Sequence, residues 1–294
     1  MQPKDNQKVL ALMLLLFTCV AWGGSYVSIQ ICLGAMGPVY LPFFRYLLSA
    51  VLLFVVLKAK GTSLKLEKSD WMKVILTALF SITVYFYFEN SAIKQIGANE
   101  AAILVAMLPV VALIGNRIFL KQKLLPRNII SAVISIVGIY FVIGGVQFGE
   151  NKVGYFYVFL SNLSWSAYLI NTKPLLKKYE GLVLTFYQCL IGSLAFVPAL
   201  PTDYFYFDKI DIGIILHFLF LALVCSAVCT VCYTFAIKHC GVGISALCLN
   251  FIPVATFLFS FLILREVMRP IQMVGAFIAI SGLLLMKEDQ AIDG

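Results

Sequence analysis

Three ionisable residues stand where the chain is otherwise apolar: Arg45 in "FFRYLLSAVLLF", Glu89 in "VYFYFENSAIK" and Glu100 in "GANEAAILVAMLPVV". Inside a hydrocarbon span a charge costs at least ~2.5 kcal/mol on insertion scales, so each marks either a function or a paired partner. A carboxylate in an apolar cleft keeps its proton toward neutral pH and can exchange it. The fixed fork of Arg donors suits a buried, hydrogen-bonded ion pair. Two readings follow. In the structural one, Arg45 pairs with Glu89 or Glu100, and the remaining Glu favours the positive N-terminal end of its helix. In the functional one, Glu100, or in second place Glu89, is a coupling site. It releases a proton outward and takes up a proton or a cationic substrate in turn. Glu100 takes precedence because it lies in a stretch that the chain writes twice, and Glu100→Gln is then expected to abolish pH-driven accumulation without unfolding the protein.

Aromatic and amide side chains supply the candidate substrate contacts. Trp22 and Trp165 each sit roughly 20 Å from the entry of their helix at 1.5 Å per residue. Around them come Ser25, Tyr26, Tyr85, Asn90, Met107, Tyr168, Tyr187, Gln188, Tyr233 and Asn250. A pocket is mostly apolar with a few polar groups that set orientation, and aromatic faces also hold cations. In a chain with 24 Phe, 14 Tyr and 3 Trp the same residues also serve as packing or as an interfacial belt. Pro109 and Pro253 fall at matched mid-helix positions, where each removes a hydrogen bond and kinks its helix as a gate or as a static bend.

The eight cysteines carry less chemistry than their spacing suggests. His217, Cys225, Cys229 and Cys232 share one apolar run. From His217 to Cys232 a helix spans about 22 Å, too far for ligands around one zinc ion. A redox C-x-x-C belongs at an accessible helix start, whereas this one is deep in the run. The cysteines read as small apolar residues, His217 as a donor to a carbonyl near the outer interface, and no metal or other cofactor is expected.

The elements that must position these residues follow from composition. The 294 residues are 62% hydrophobic and 12% charged, with mean hydropathy +0.97, far from a soluble domain. Apolar runs long enough to cross a ~30 Å hydrocarbon core recur with short polar punctuation. Ten spans are read: 8–28, 38–57, 72–93, 98–119, 127–146, 153–173, 181–200, 211–236, 242–264 and 270–286. The first resembles a signal peptide in its basic lead-in, Lys4 and Lys8, but has a later copy, so it is read as a retained helix. With the N-terminus inside, 16 Lys and Arg fall in inner segments and five in outer ones, which makes both termini cytoplasmic. The net charge of +8 follows from this asymmetry, and no basic stripe with interleaved aromatics argues for nucleic acid.

A shift of 144 aligns residues 92–126 with 236–270 without a gap, giving nine identities in 35 positions, among them Lys94/Lys238, Gly97/Gly241, Pro109/Pro253 and Pro126/Pro270. Ala132/Ala276, Ile136/Ile280 and Gly138/Gly282 continue it, and a shift of 143 pairs Trp22 with Trp165, Phe43 with Phe186 and Arg45 with Gln188. The halves, 1–148 and 149–294, read as two five-helix repeats of one membrane domain. Because five is odd, the second copy enters the bilayer upside down. Inverted repeats are the architecture of many secondary transporters, with the substrate between the repeats near the midplane. Arg45, Glu89 and Glu100 have uncharged copies, Gln188, Tyr233 and Ile244, so the duplicated fold by itself does not require them.

A basic amino-terminus, "AWGGSYVSIQ", "FFRYLLSAVLLF", "SAIKQIGANEAAILVAMLPVV" and "LREVMRPIQMVGAFIAISGLLL" together resemble the drug/metabolite transporter superfamily, in particular its ten-helix exporters of the EamA type. The resemblance implies an all-α integral membrane protein that exports a small metabolite, such as an amino acid, an amine or a drug-like compound, by alternating access across the cytoplasmic membrane. Its partners would be the lipid bilayer, a small-molecule substrate and protons, with facilitated diffusion as the alternative to antiport. In "LREVMRP" the Leu-x-Glu pattern is present, but the first half reads "LKQKLLP", with Gln122 where Glu266 stands. No Walker A string, G-x-S-x-G elbow or H-E-x-x-H occurs, so ATP-driven transport and hydrolysis lack their parts. A membrane-embedded enzyme or lipid-handling protein would need clustered carboxylates or His at one face, and the short, Lys-rich loops do not supply them. A sensor or assembly protein that kept the fold is a further reading.

Overall fold

The computed structural model describes residues 3–108, 110–111, 126–142, 152–241, 244–245, 248–267 and 269–285. Among these the chain is helical, with one isolated antiparallel bridge, Met36 to Phe205, and no strand. In order the helices are α1 (Pro3–Cys32), α2 (Tyr40–Ala59), α3 (Trp71–Ala78), α4 (Tyr85–Val105), α5 (Pro126–Val142), α6 (Lys152–Leu176), α7 (Gly181–Leu194), α8 (Ile212–Leu219), α9 (Cys229–Cys240), α10 (Ile252–Phe259) and α11 (Pro270–Leu284). Five continuous stretches among the described residues are long and apolar enough to cross a membrane: Gln7–Cys32, Tyr40–Ala59, Lys68–Val105, Gly181–Thr202 and Ile212–Cys240. Shorter apolar helices cover Ile129–Gly138, Ile252–Leu264 and Pro270–Gly282. Large apolar side chains such as Met13, Phe17, Val51, Val55, Ile130, Val133 and Phe277 project outward from these helices, which suits a lipid solvent.

The same irregularities recur at matched positions of the two halves. A π-helical segment, Leu79–Val84, joins α3 to α4, and another, Phe220–Val228, joins α8 to α9; their last residues are 144 apart. Glycine breaks the next helix in both: Gly97 at φ +80°, ψ 169° and Gly241 at φ +86°, ψ 161°. That backbone region is closed to side chains with a Cβ, which accounts for the identity of this pair. A third irregularity follows eight residues later. α4 ends at Val105, with the Met107 N–H turning back to the Leu104 carbonyl, and the three-ten turn Leu249–Phe251 occupies the equivalent place before α10.

Pro253 therefore lies in the first turn of α10, just behind a break, and not in the middle of an intact helix as the sequence suggested. The reason is its missing N–H, which leaves the Leu249 carbonyl without its usual partner; that carbonyl takes the N–H of Ile252, one residue nearer, and tightens the turn. Pro109 lies outside the described residues, as does Gln122.

Small residues bring α5 and α11 together. A Cβ on Gly138 would stand 2.3 Å from the backbone N of Ala279, so only glycine fits, and the Ser135 hydroxyl donates to the Ala279 carbonyl at 3.2 Å. Loops join the halves at both ends of the bundle. At one end Asp203 accepts the backbone N–H groups of Val39 and Tyr40 at 2.7 and 3.1 Å, a carboxylate on the positive start of α2. At the other, Lys178 reaches Asp70 at 3.0 Å and Glu67 at 3.3 Å, and the Tyr179 hydroxyl donates to Asp70. Hydrogen bonds to Asp70 first and Glu67 second hold the Lys178 ammonium above the usual lysine range. Among the described residues these two contacts are the ion pairs of the molecule.

Candidate functional site

The breaks in α4 and before α10 face one another across a central cavity. Val105 and Leu108 line it from one half, and Leu249 and Ile252, their partners at a shift of 144, line it from the other. Phe86 and Thr230 add a further pair at that shift, and Trp22/Trp165, Ser25/Tyr168, Arg45/Gln188 and Tyr46/Cys189 add four at 143. Corresponding residues of both halves thus line the same cavity. It is constricted, with an accessible volume of ≈ 60 Å³, which is room for a few waters.

Aromatic rings form the wall. Trp22 and Trp165 meet edge to face at 6.1 Å, and Tyr85 and Tyr168 each lie 4.8 Å from the Trp165 ring. Tyr233 packs behind both indoles, at 5.2 and 6.1 Å. Trp22 is pinned by donation of its Nε1–H to the Cys225 carbonyl at 2.9 Å. That carbonyl belongs to a π-helical segment, in which carbonyls lose their regular partners and become available to side chains.

Glu89 is buried on this wall. One of its oxygens, Oε1, accepts the hydroxyl protons of Tyr26 at 2.7 Å and Tyr85 at 2.6 Å; among the described residues Oε2 has no hydrogen-bond donor within reach. Arg45 lines the same cavity, yet it does not form the ion pair with Glu89 or Glu100 that the sequence suggested. Its Nε–H donates to the Ser226 hydroxyl instead, and its guanidinium lies over the rings of Tyr46 and Phe86 at 5.1 and 4.8 Å. The two tyrosines already occupy Glu89, and the ring faces of α2 and α4 supply Arg45 with cation–π contacts.

Of the residues singled out by sequence, Trp22, Ser25, Tyr26, Arg45, Tyr85, Glu89, Trp165, Tyr168 and Gln188 line the cavity, with Tyr233 behind them. Others lie apart from it. Glu100 is half-buried and accepts from Tyr155 Oη at 3.1 Å and Gln272 Nε2 at 3.2 Å, toward α6 and α11. Tyr187 donates to the Leu64 carbonyl at 2.8 Å and packs on Trp71. Met107 packs against Ala106 and Val110, and Asn90 is buried off the cavity without a hydrogen-bond partner. The side chain of Asn250 is outside the described residues. His217 meets the Ser28 hydroxyl at 3.0 Å in place of a carbonyl. Asn162 and Thr185 line the cavity without having been singled out, although each is a polar residue inside an apolar run, which was the available signal. Asn162 donates to the Leu104 carbonyl at 3.0 Å, beside the break in α4.

A polar cluster lies on the other side of Gly97. Glu266 accepts from Gln30 Nε2 at 3.0 Å, Asn99 Nδ2 at 3.1 Å and Ser260 Oγ at 2.9 Å, while the Gln30 carbonyl oxygen takes the N–H of Ala98 at 2.6 Å. One carboxylate thus ties α1 and α4 of the first half to Ser260, the residue that follows α10 in the second.

Duplicated, broken helices around a shared cavity define a membrane transporter. The model of the EamA-like transporter family matches the chain twice, over residues 9–144 and 152–287, and the chain belongs to that family. A protein of Archaeoglobus fulgidus named as an uncharacterized transporter is 27% identical over 284 residues, 95% of this chain and 97% of that one. A probable terminal-alkyne amino-acid exporter of Streptantibioticus cattleyicolor is 23% identical over 272 residues, 92% of this chain and 91% of that one. A solved crystal structure shares the fold with TM-score 0.68 over 96% of both chains at 16% identity.

Proposed function

We propose that this protein is a secondary active exporter of a small metabolite, an amino acid, an amine or a drug-like compound, across the cytoplasmic membrane. The chain crosses the bilayer ten times as two inverted repeats, 1–148 and 149–294, with both termini in the cytoplasm. Substrate binds in the central cavity and is exposed to either side as the repeats rock against each other. The observation that carries this reading is the set of seven repeat-related pairs lining one cavity, with both helix breaks opening onto it. The Streptantibioticus relative's name adds amino acids to the favoured substrates.

Proton exchange is assigned to Glu89, because it faces the cavity and carries a carboxylate oxygen with no donor within reach among the described residues, whereas Glu100 is engaged toward α6 and α11. A proton on Glu89 and a substrate in the same cavity would alternate, which is antiport. The test is flux in proteoliposomes, with amino acids, polyamines and quaternary ammonium compounds supplied under an imposed pH gradient. Wild type and Glu100→Gln should accumulate a substrate against its gradient. Glu89→Gln should retain counterflow but lose pH-driven accumulation. Coupling that survives in Glu89→Gln removes the proton role and leaves facilitated diffusion; flux of no compound class overturns the transporter reading.

A further inference from the structure

The cavity holds a cation that makes no direct ion pair with any described carboxylate. Arg45 is 2% exposed, its Nη1 has no hydrogen-bond partner, and no carboxylate of a described residue lies within 4.0 Å of it. A buried guanidinium without an anion is a costly arrangement, and rings at 4.8 and 5.1 Å offset only part of that cost. Glu89 is the nearest candidate on the cavity wall, yet it is held by Tyr26 and Tyr85.

A second unpartnered donor stands at the matched position of the other repeat. Gln188, the copy of Arg45, is 3% exposed and lines the same cavity, and its Nε2 has no partner. One turn earlier on α7 the Thr185 hydroxyl also lines the cavity unbonded. A guanidinium offers donors and no acceptor, so an occupant must bring acceptors, and the positive charge favours an anionic one. A single cation in an aromatic cavity matches a monoanion with an apolar body better than a phosphate, and the planar fork of Arg matches a carboxylate.

We propose that Arg45 and Gln188, one from each repeat, clamp the carboxylate of the transported compound between them while its apolar part lies against Trp22 and Trp165. This deepens the exporter reading and rests on it for the word transported. It places Arg45 in direct contact with substrate and makes the asymmetry of the two repeats, Arg in one and Gln in the other, the source of selectivity for one negative charge.

Trp22 and Trp165 report the occupant directly once the third tryptophan, Trp71, is replaced by Phe. Two ligand series isolate the charged group: isovalerate, leucine, leucinamide and isoamylamine; and 3-phenylpropionate, phenylalanine, phenylalaninamide and phenylethylamine. At constant chloride, members with a carboxylate should change indole emission with affinities at least tenfold tighter than the amides and amines of the same series. Arg45→Gln should weaken carboxylate binding tenfold or more while leaving the amides unchanged, Arg45→Lys should fall between, and Gln188→Leu should weaken it several-fold. Where Arg45→Gln does not purify as a single species, the wild-type series decides by itself. Amides or amines that bind as tightly as the acids overturn the clamp. So does a chloride response equal to that of the acids, or no response to any acid in either series. Counterflow of the same compounds separates the two readings: acids that bind without being transported overturn the exporter and leave the clamp, whereas transport confined to amines overturns the clamp and leaves the exporter.

Discussion

Two tyrosine hydroxyls converge on one oxygen of Glu89, so their contributions are coupled. Tyr85→Phe or Tyr26→Phe alone should lower stability in detergent by about 1–2 kcal/mol, the range for losing a buried hydrogen bond to a carboxyl group. Both together should cost a different amount from the sum, because the remaining tyrosine compensates in either single variant and nothing does in the double. Thermal unfolding of the four proteins closes this cycle, and strict additivity would show that the bonds are independent. At this scale the sequence identified residue types better than contacts. Trp22, its copy Trp165 and the carboxylates Glu89 and Glu100 were legible because polar or bulky groups stand out in apolar runs, but which of the two carboxylates faces the cavity was not. The choice of Ser226 over Glu89 by Arg45 was not, because the rotation of α2 against the Phe220–Val228 segment is set by packing between distant elements.

At the level of elements the repeat is written in backbone geometry. Gly97 and Gly241 share a conformation with φ near +80° that a Cβ makes unfavourable by roughly 1–3 kcal/mol. Gly97→Ala and Gly241→Ala should each lower the unfolding temperature, whereas Lys94→Ala and Lys238→Ala, at the neighbouring matched pair, should have little effect. Equal behaviour of the glycine and lysine variants would remove the conformational explanation. Gly138→Ala tests a different constraint, since its Cβ would collide with the Ala279 backbone and push α5 from α11. It should destabilise by about 1–3 kcal/mol, as overpacking does. The pairing of Gly97 with Gly241 could be read from the aligned sequence. The π-helical segments could not, because a run such as "LFSITV" has no residue that marks an extra-wide turn; Phe220–Val228 is marked in the structure by the bonds of Trp22 to the Cys225 carbonyl and of Arg45 to the Ser226 hydroxyl, and Leu79–Val84 by that of the Ser164 hydroxyl to the Phe80 carbonyl.

At the scale of the molecule, the proposed topology puts five helices in each copy, an odd number that inverts the second, and on that proposal the two ends of the cavity are closed by non-identical versions of one device. Sequence alone could reach that statement but not say what closes either end, because the contacts from Gln30 and Asn99 to Glu266 join residues more than 160 positions apart. In the structure one end carries the Glu266 cluster, which draws Gln30 and Asn99 of the first repeat onto Ser260 of the second. In the proposed orientation this end faces outward. The copy of Glu266 is Gln122, so a charge with three donors on one face has only a neutral counterpart on the other. If the Glu266 cluster is the outer latch, Glu266→Ala removes the acceptor shared by Gln30, Asn99 and Ser260 and shifts the protein toward outward-open states. Cys189 provides the reporter, being fully buried yet lining the cavity. With the other seven cysteines replaced, a membrane-impermeant maleimide applied to right-side-out vesicles should label Cys189 at least tenfold faster in Glu266→Ala than in the parent, and slower from everted vesicles. Glu100→Gln, which touches α6 and α11 outside that cluster, should leave the outer rate unchanged. An unchanged rate in Glu266→Ala would make the cluster a static brace and move the outer gate to the breaks beside Val105 and Leu249, which face the cavity from both repeats.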